Sequence, residues 1–135
     1  MAATFQLEIV TPSKLLVKED AEEVQLPGLD GYLGILPGHA PLITELGVGS
    51  ITYKTGSGTH TLAVAWGFAE ALPDKLTVLA EAAERPEDID TARAEKAKQR
   101  AEERLKGSDP EVDYARAEDA LQRAESRLAI AKDHR

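Results

Sequence analysis

Leu76-Thr77-Val78-Leu79-Ala80-Glu81-Ala82-Ala83-Glu84-Arg85-Pro86-Glu87-Asp88-Ile89-Asp90-Thr91-Ala92-Arg93-Ala94 contains the change of period that decides the fold. Leu76, Val78 and Ala80 keep the two-residue repeat of a strand with one buried face. Beyond Pro86 the spacing becomes three and four, and Ala94, Ala97, Ala101 and Leu105 line one side of a helix. Asp88 or Asp90 serves as its N-cap and Gly107 as its C-terminal stop. Ser108-Asp109-Pro110-Glu111 then restarts the chain with a capping box and an early-turn proline. The second helix has a seam through Tyr114, Ala117, Leu121, Ala124, Leu128 and Ala131, a heptad repeat. Alanines let two helix axes approach closely. They bury little apolar area, so at ~25 cal/mol per Å² the seam is weak beside a leucine zipper.

Outward from this junction toward the N-terminus the two-residue repeat persists. Phe5, Leu7 and Ile9 alternate with Thr4, Gln6 and Glu8, and similar pairs recur at Val24 with Leu26, Ile51 with Tyr53, and Leu62 with Val64 and Trp66. Thr55-Gly56-Ser57-Gly58 and Pro73-Asp74 are turns between them. The expected fold is therefore α+β in two parts: an N-terminal antiparallel β-sandwich over residues 1–85, then a C-terminal α-helical hairpin over residues 86–135.

Charge divides at the same place. Residues 1–85 carry five Lys or Arg against eleven Asp or Glu, and residues 86–135 carry eleven against thirteen. A net charge of -8 disfavours free association with nucleic acid or anionic lipid. The absence of cysteine excludes disulfides and thiolate metal sites. No apolar run approaches the ~20 residues of a membrane span.

The densest patterned stretch is Pro27-Gly28-Leu29-Asp30-Gly31-Tyr32-Leu33-Gly34-Ile35-Leu36-Pro37-Gly38-His39-Ala40-Pro41-Leu42. It closely resembles the signature of the epsilon subunits of rotary F-type ATP synthases, the delta subunits of mitochondria. Trp66-Gly67-Phe68-Ala69-Glu70 and Val78-Leu79-Ala80-Glu81-Ala82-Ala83-Glu84 match two further strands of that family, with Trp66 replacing the usual small residue. The resemblance implies a non-catalytic subunit held to the central stalk by the gamma subunit and the ring of c subunits. It implies a membrane association made only through the complex, on the cytoplasmic side of a bacterial membrane. Asp30, Gly31, Tyr32 and His39 then belong to the rotor interface, in a loop over residues 30–42. Tyr32 stands where many relatives carry an acidic residue. His39, with only His60 and His134 as companions and no Cys, lacks a ligand set for a metal, so its expected role is structural.

Ile89-Asp90-Thr91-Ala92-Arg93-Ala94 resembles the motif by which some bacterial epsilon subunits bind ATP. Arg93 and Arg100 share one helix face, and Arg123 and Arg127 share another. Four guanidinium groups suit a triphosphate without a glycine-rich loop, and no G-x-x-x-x-G-K-S/T sequence is present. The resemblance makes ATP a regulatory ligand held by Glu84, Ile89, Asp90, Arg93, Ala94, Arg100, Arg123 and Arg127. In the family the extended hairpin inhibits hydrolysis by meeting the catalytic beta subunits, which alternate with alpha. Here Arg116, Arg123, Arg127, Lys132 and Arg135 are the candidate contacts. The bland alternative is a solvated face whose arginines pair with Glu95, Glu102, Glu103 and Glu125 on a constitutive clamp that senses nothing. A free-standing enzyme is disfavoured, since no triad, metal cluster or pair of buried acids is legible.

Overall fold

The computed structural model describes residues 3–107 and 109–134. The chain divides into two compact units between Glu84 and Arg85. The first contains β1 (Phe5–Val10), β2 (Leu15–Ala21), β3 (Glu23–Gly28), β4 (Gly31–Ile35), β5 (Leu42–Thr55), β6 (Gly58–Leu72) and β7 (Lys75–Glu84). They form one seven-stranded sheet in the order β2-β1-β7-β6-β5-β3-β4. Every neighbouring pair is antiparallel except β1 and β7, which run parallel. That exception arises because the β1–β2 hairpin leaves one edge of β1 open, and β7, the last strand made, fills it.

The glycine-rich and proline-containing turns lie where expected. Thr55 pairs with Gly58 to close one hairpin and Leu72 with Lys75 to close the next. What the two-residue repeat did not disclose is strand length. β5 and β6 run for 14 and 15 residues, longer than the five or six of an ordinary strand. β6 bends at Trp66, whose φ is 59°, and Gly67, whose φ is 115°. A Cβ on Gly67 would fall on the Leu79 carbonyl oxygen, so position 67 admits only glycine. Trp66 is expected to share the buried face of Leu62 and Val64. The left-handed backbone instead leaves it half-buried.

The bent sheet folds on itself as a sandwich. β2 and β5 are far apart in strand order, yet the Tyr53 hydroxyl of β5 donates to the Glu19 carboxylate of β2 at 2.9 Å. Between the layers Leu7, Ile9, Leu26, Ile51, Leu62 and Val78 are fully buried. Each contributes about 1.5–3 kcal/mol relative to exposure.

The second unit opens with a 3₁₀ turn at Pro86–Asp88, followed by α1 (Thr91–Lys106) and α2 (Tyr114–His134). Of the two cap candidates Asp90 is the one used, its Oδ1 accepting the Arg93 amide at 3.0 Å. Asp88 lies in the turn that Pro86 initiates. Gly107 does end α1, but with φ at -75° rather than in a left-handed conformation.

The expected capping box gives way to a different start. Ser108 lies outside the described residues. Asp109 takes the Glu111 and Val112 amides into a turn, at 2.9 and 3.2 Å. α2 then begins later, with Asp113 Oδ1 accepting the Arg116 amide at 3.1 Å. An Asx turn offered by Asp109 competes with helix at this point and wins.

Tyr114 also departs from the expected seam. Its hydroxyl donates to the Gly107 carbonyl at 2.7 Å, closing off an orphan acceptor at the end of α1. The seam itself is alanine: Ala94 and Ala101 on α1 and Ala117, Ala124 and Ala131 on α2 are buried. Ala97, Leu105, Leu121 and Leu128 are half-buried beside it. Ile130 is buried as well, a position outside the heptad reading.

Candidate functional site

The motif of residues 27–42 is part strand and part loop. Residues 31–35 form β4, an edge strand paired only with β3, and the loop occupies residues 36–41. Two backbone bonds fasten this end of the sandwich. The Leu29 amide donates to the Glu45 carbonyl at 3.0 Å, and the Gly38 amide to the Pro73 carbonyl at 2.7 Å. The first ties the β3–β4 turn to β5, and the second ties the motif loop to the β6–β7 turn. Leu29, Leu36, Ile43 and Leu72 are exposed here.

Of the four candidate interface residues, Asp30, Gly31 and Tyr32 are exposed around the β3–β4 turn and His39 is half-buried in the loop. His39 Nδ1 lies 2.6 Å from the Ala40 carbonyl. Because a carbonyl only accepts, Nδ1 carries the proton. His60 is occupied elsewhere, stacked on Tyr53 and bonded through Nε2 to the Thr55 and Ser57 hydroxyls. No metal-holding group of three or more His, Cys, Asp or Glu occurs among the described residues.

An apolar row on the outer face was not foreseen. Leu15, Val10, Leu79 and Phe68 lie side by side across β2, β1, β7 and β6. Leu15, Leu79 and Phe68 are 52, 54 and 53% exposed. Contiguous apolar surface of this kind marks an interaction site. The signal for it was present as Val10, Phe68 and Leu79 breaking the apolar-polar alternation, but it becomes a row only through the register.

On the hairpin, each of four arginines immediately precedes a buried seam alanine: Arg93, Arg100, Arg116 and Arg123. A two-fold axis normal to the plane of an antiparallel helix pair relates the two helices. Positions one residue before the seam therefore emerge on the same broad face of both. Leu105, Leu121 and Leu128, four residues after a seam alanine, emerge on the opposite face. All four arginines are exposed and none forms an ion pair with a described residue. The pairing with Glu95, Glu102, Glu103 and Glu125 that would neutralise them is thus not made.

The other candidate ATP ligands are placed differently. Arg127 is half-buried, with Nε out of contact with solvent. Asp90 is exposed and keeps Oδ2 beyond its capping bond. Ile89 and Ala94 are buried, so in this conformation they shape the hairpin rather than line a surface. Glu84 ends β7 opposite Ala63 and is half-buried. Lys132 is exposed on α2, and Arg135 lies outside the described residues. No described helix is long and apolar enough to cross a membrane.

Comparison with known proteins accounts for both units. Residues 4–86 match the family described as ATP synthase, Delta/Epsilon chain, beta-sandwich domain, and residues 87–132 match ATP synthase, Delta/Epsilon chain, long alpha-helix domain. An ATP synthase epsilon chain of Koribacter versatilis is 68% identical over 111 residues, 82% of this chain and 78% of that protein. One of Nitratidesulfovibrio vulgaris is 51% identical over 105 residues, 78% of each chain. In backbone, a chain of the Euglena gracilis mitochondrial ATP synthase, OSCP/F1/c-ring, is similar with a TM-score of 0.82 at 22% identity, over 96% of this chain and 82% of that one.

Proposed function

The chain belongs to the ATP synthase delta/epsilon family, and from that premise we propose that it is the non-catalytic epsilon subunit of a bacterial F-type ATP synthase. In this reading the sandwich attaches to the central stalk, joining the gamma subunit to the c-ring during ion-driven ATP synthesis. The whole chain reaches the cytoplasmic side of the membrane only through the complex. Support comes from the exposed leucines at the motif end and from the apolar row Leu15, Val10, Leu79 and Phe68. Both are surfaces that an isolated protein has no use for and an assembled subunit covers.

The hairpin is the regulatory part, and ATP is its ligand. The observation that carries this is the set of exposed arginines without carboxylate partners on one face, Arg93, Arg100 and Arg123, with Arg127 nearby in sequence. Guanidinium groups so arranged take phosphate oxygens as charge-assisted acceptors. ATP bound only to the packed hairpin stabilises it by RT ln(1 + [ATP]/Kd), about 2.7 kcal/mol at a hundredfold excess over Kd. When ATP is scarce the hairpin opens and extends, and Arg116, Arg123 and Arg127 meet acidic segments of the catalytic beta subunits to inhibit hydrolysis.

A calorimetric titration tests this. Replacing Arg123 and Arg127 by alanine should lower ATP affinity at least about tenfold, the loss of charge-assisted hydrogen bonds, while the helical signal is retained. Unchanged affinity would leave the hairpin as a constitutive clamp.

A further inference from the structure

We propose that Tyr32 is a positioning residue for stalk attachment: its hydroxyl ties edge strand β4 to β5 across the bulge in the β3–β5 register, holding the motif end in its attaching shape.

Three observations converge on this link. β4 lies at the end of the sheet and pairs only with β3, so one ladder holds it. The register between β3 and β5 slips between Gln25, which faces Thr52, and Gly28, which faces Leu46, so that Leu26 and Pro27 stand against the five β5 residues 47–51. Ser50 lies in that unpaired stretch, and its amide donates to the Tyr32 hydroxyl at 3.2 Å, with the Ser50 hydroxyl 3.4 Å from the same oxygen. The side chain of an edge strand has thus taken over a backbone donor two strands away.

The seat for that hydroxyl is built by glycine. A Cβ on Gly49 would lie 2.6 Å from the Tyr32 hydroxyl and 2.9 Å from Pro27 Cβ. Position 49 must therefore lack a side chain for the ring to close over the bulge. Tyr32 is also the cross-strand partner of Pro27, which it leaves buried while itself remaining 59% exposed. Its exposure looks like that of a contact residue, but its polar atom is committed inward.

The inference rests on the stalk-attachment reading, and the experiment separates the two. ATP synthase stripped of this subunit would be titrated with the full chain and with Tyr32→Phe, Gly49→Ala and the double variant. Amide exchange of each free chain would be followed in parallel at Ser50 and along the β3–β4 ladder. Tyr32→Phe keeps the ring and removes only the bond, which guards against a Gly49→Ala chain that fails to fold. Faster exchange at Ser50 and along the ladder, attachment weakened about three- to tenfold, and a double variant no weaker than the worse single one support the proposal. Unchanged ladder exchange, loosened exchange with unchanged attachment, or additive losses in the double variant overturn it. Failure of the unaltered chain to attach overturns the stalk reading and this proposal with it.

Discussion

The sandwich and the hairpin are held by different kinds of side chain. Between its layers the sandwich buries leucines, isoleucines, valines and Tyr53 contributed by strands far apart in the chain. The hairpin buries five alanines along its seam, with Ile89 and Ile130 as its only larger buried side chains among the described residues. An alanine methyl removes a fraction of the apolar area of a leucine, so the second unit has far less free energy per residue to resist opening. The contrast suits the roles proposed for them, a sandwich that stays attached and a hairpin that changes shape.

The comparison can be tested in order of effect. Ile51→Ala should cost the sandwich about 3 kcal/mol, the loss from a fully buried site, visible as a lowered calorimetric transition. A much smaller loss would mean that the two units differ less than their packing implies. Ala124→Leu should overfill the seam and cost the hairpin about 2 kcal/mol, reducing helical circular dichroism at temperatures where the sandwich remains folded. Asp90→Ala removes the N-cap bond and should weaken α1 by about 1 kcal/mol, measured as faster amide exchange in its first turn. Lys75→Ala breaks a partly exposed contact with Glu8 at 3.5 Å and should change sandwich stability by under about 1 kcal/mol. A larger loss there would show that the sandwich depends on its surface more than on its core.

Much of this arrangement was legible beforehand. The strand repeat before Pro86 and the helical repeat after it were legible, the glycine and proline turns located the hairpins, and Asp90 was one of two caps considered. What escaped were features that depend on strands meeting. The apolar row exists only when Val10, Leu15, Phe68 and Leu79 come into register, and β4 was concealed because its glycines and proline neighbours resemble loop. Trp66 was misplaced because a two-residue repeat assumes extended backbone, and its φ of 59° departs from that. The start of α2 moved because Asp109 used its side chain locally before Asp113 could cap the helix. The pairs legible in the sequence were Arg93 with Arg100 and Arg123 with Arg127; the four on the common face are Arg93, Arg100, Arg116 and Arg123. Their common face follows only once the seam is known to run through the alanines that each one precedes.

The parallel pairing of β1 with β7 has a consequence for biosynthesis. β1 leaves the ribosome well before β7, and its second neighbour is not made until residues 75–84 emerge. At roughly 5–20 residues per second, the nascent β1–β2 hairpin waits for seconds with one side unpaired. An unpaired strand edge is a template for another chain. Release of fragments that end before residue 75 should therefore yield self-associating products, whereas the α1–α2 hairpin, whose partners are close in sequence, carries no such delay.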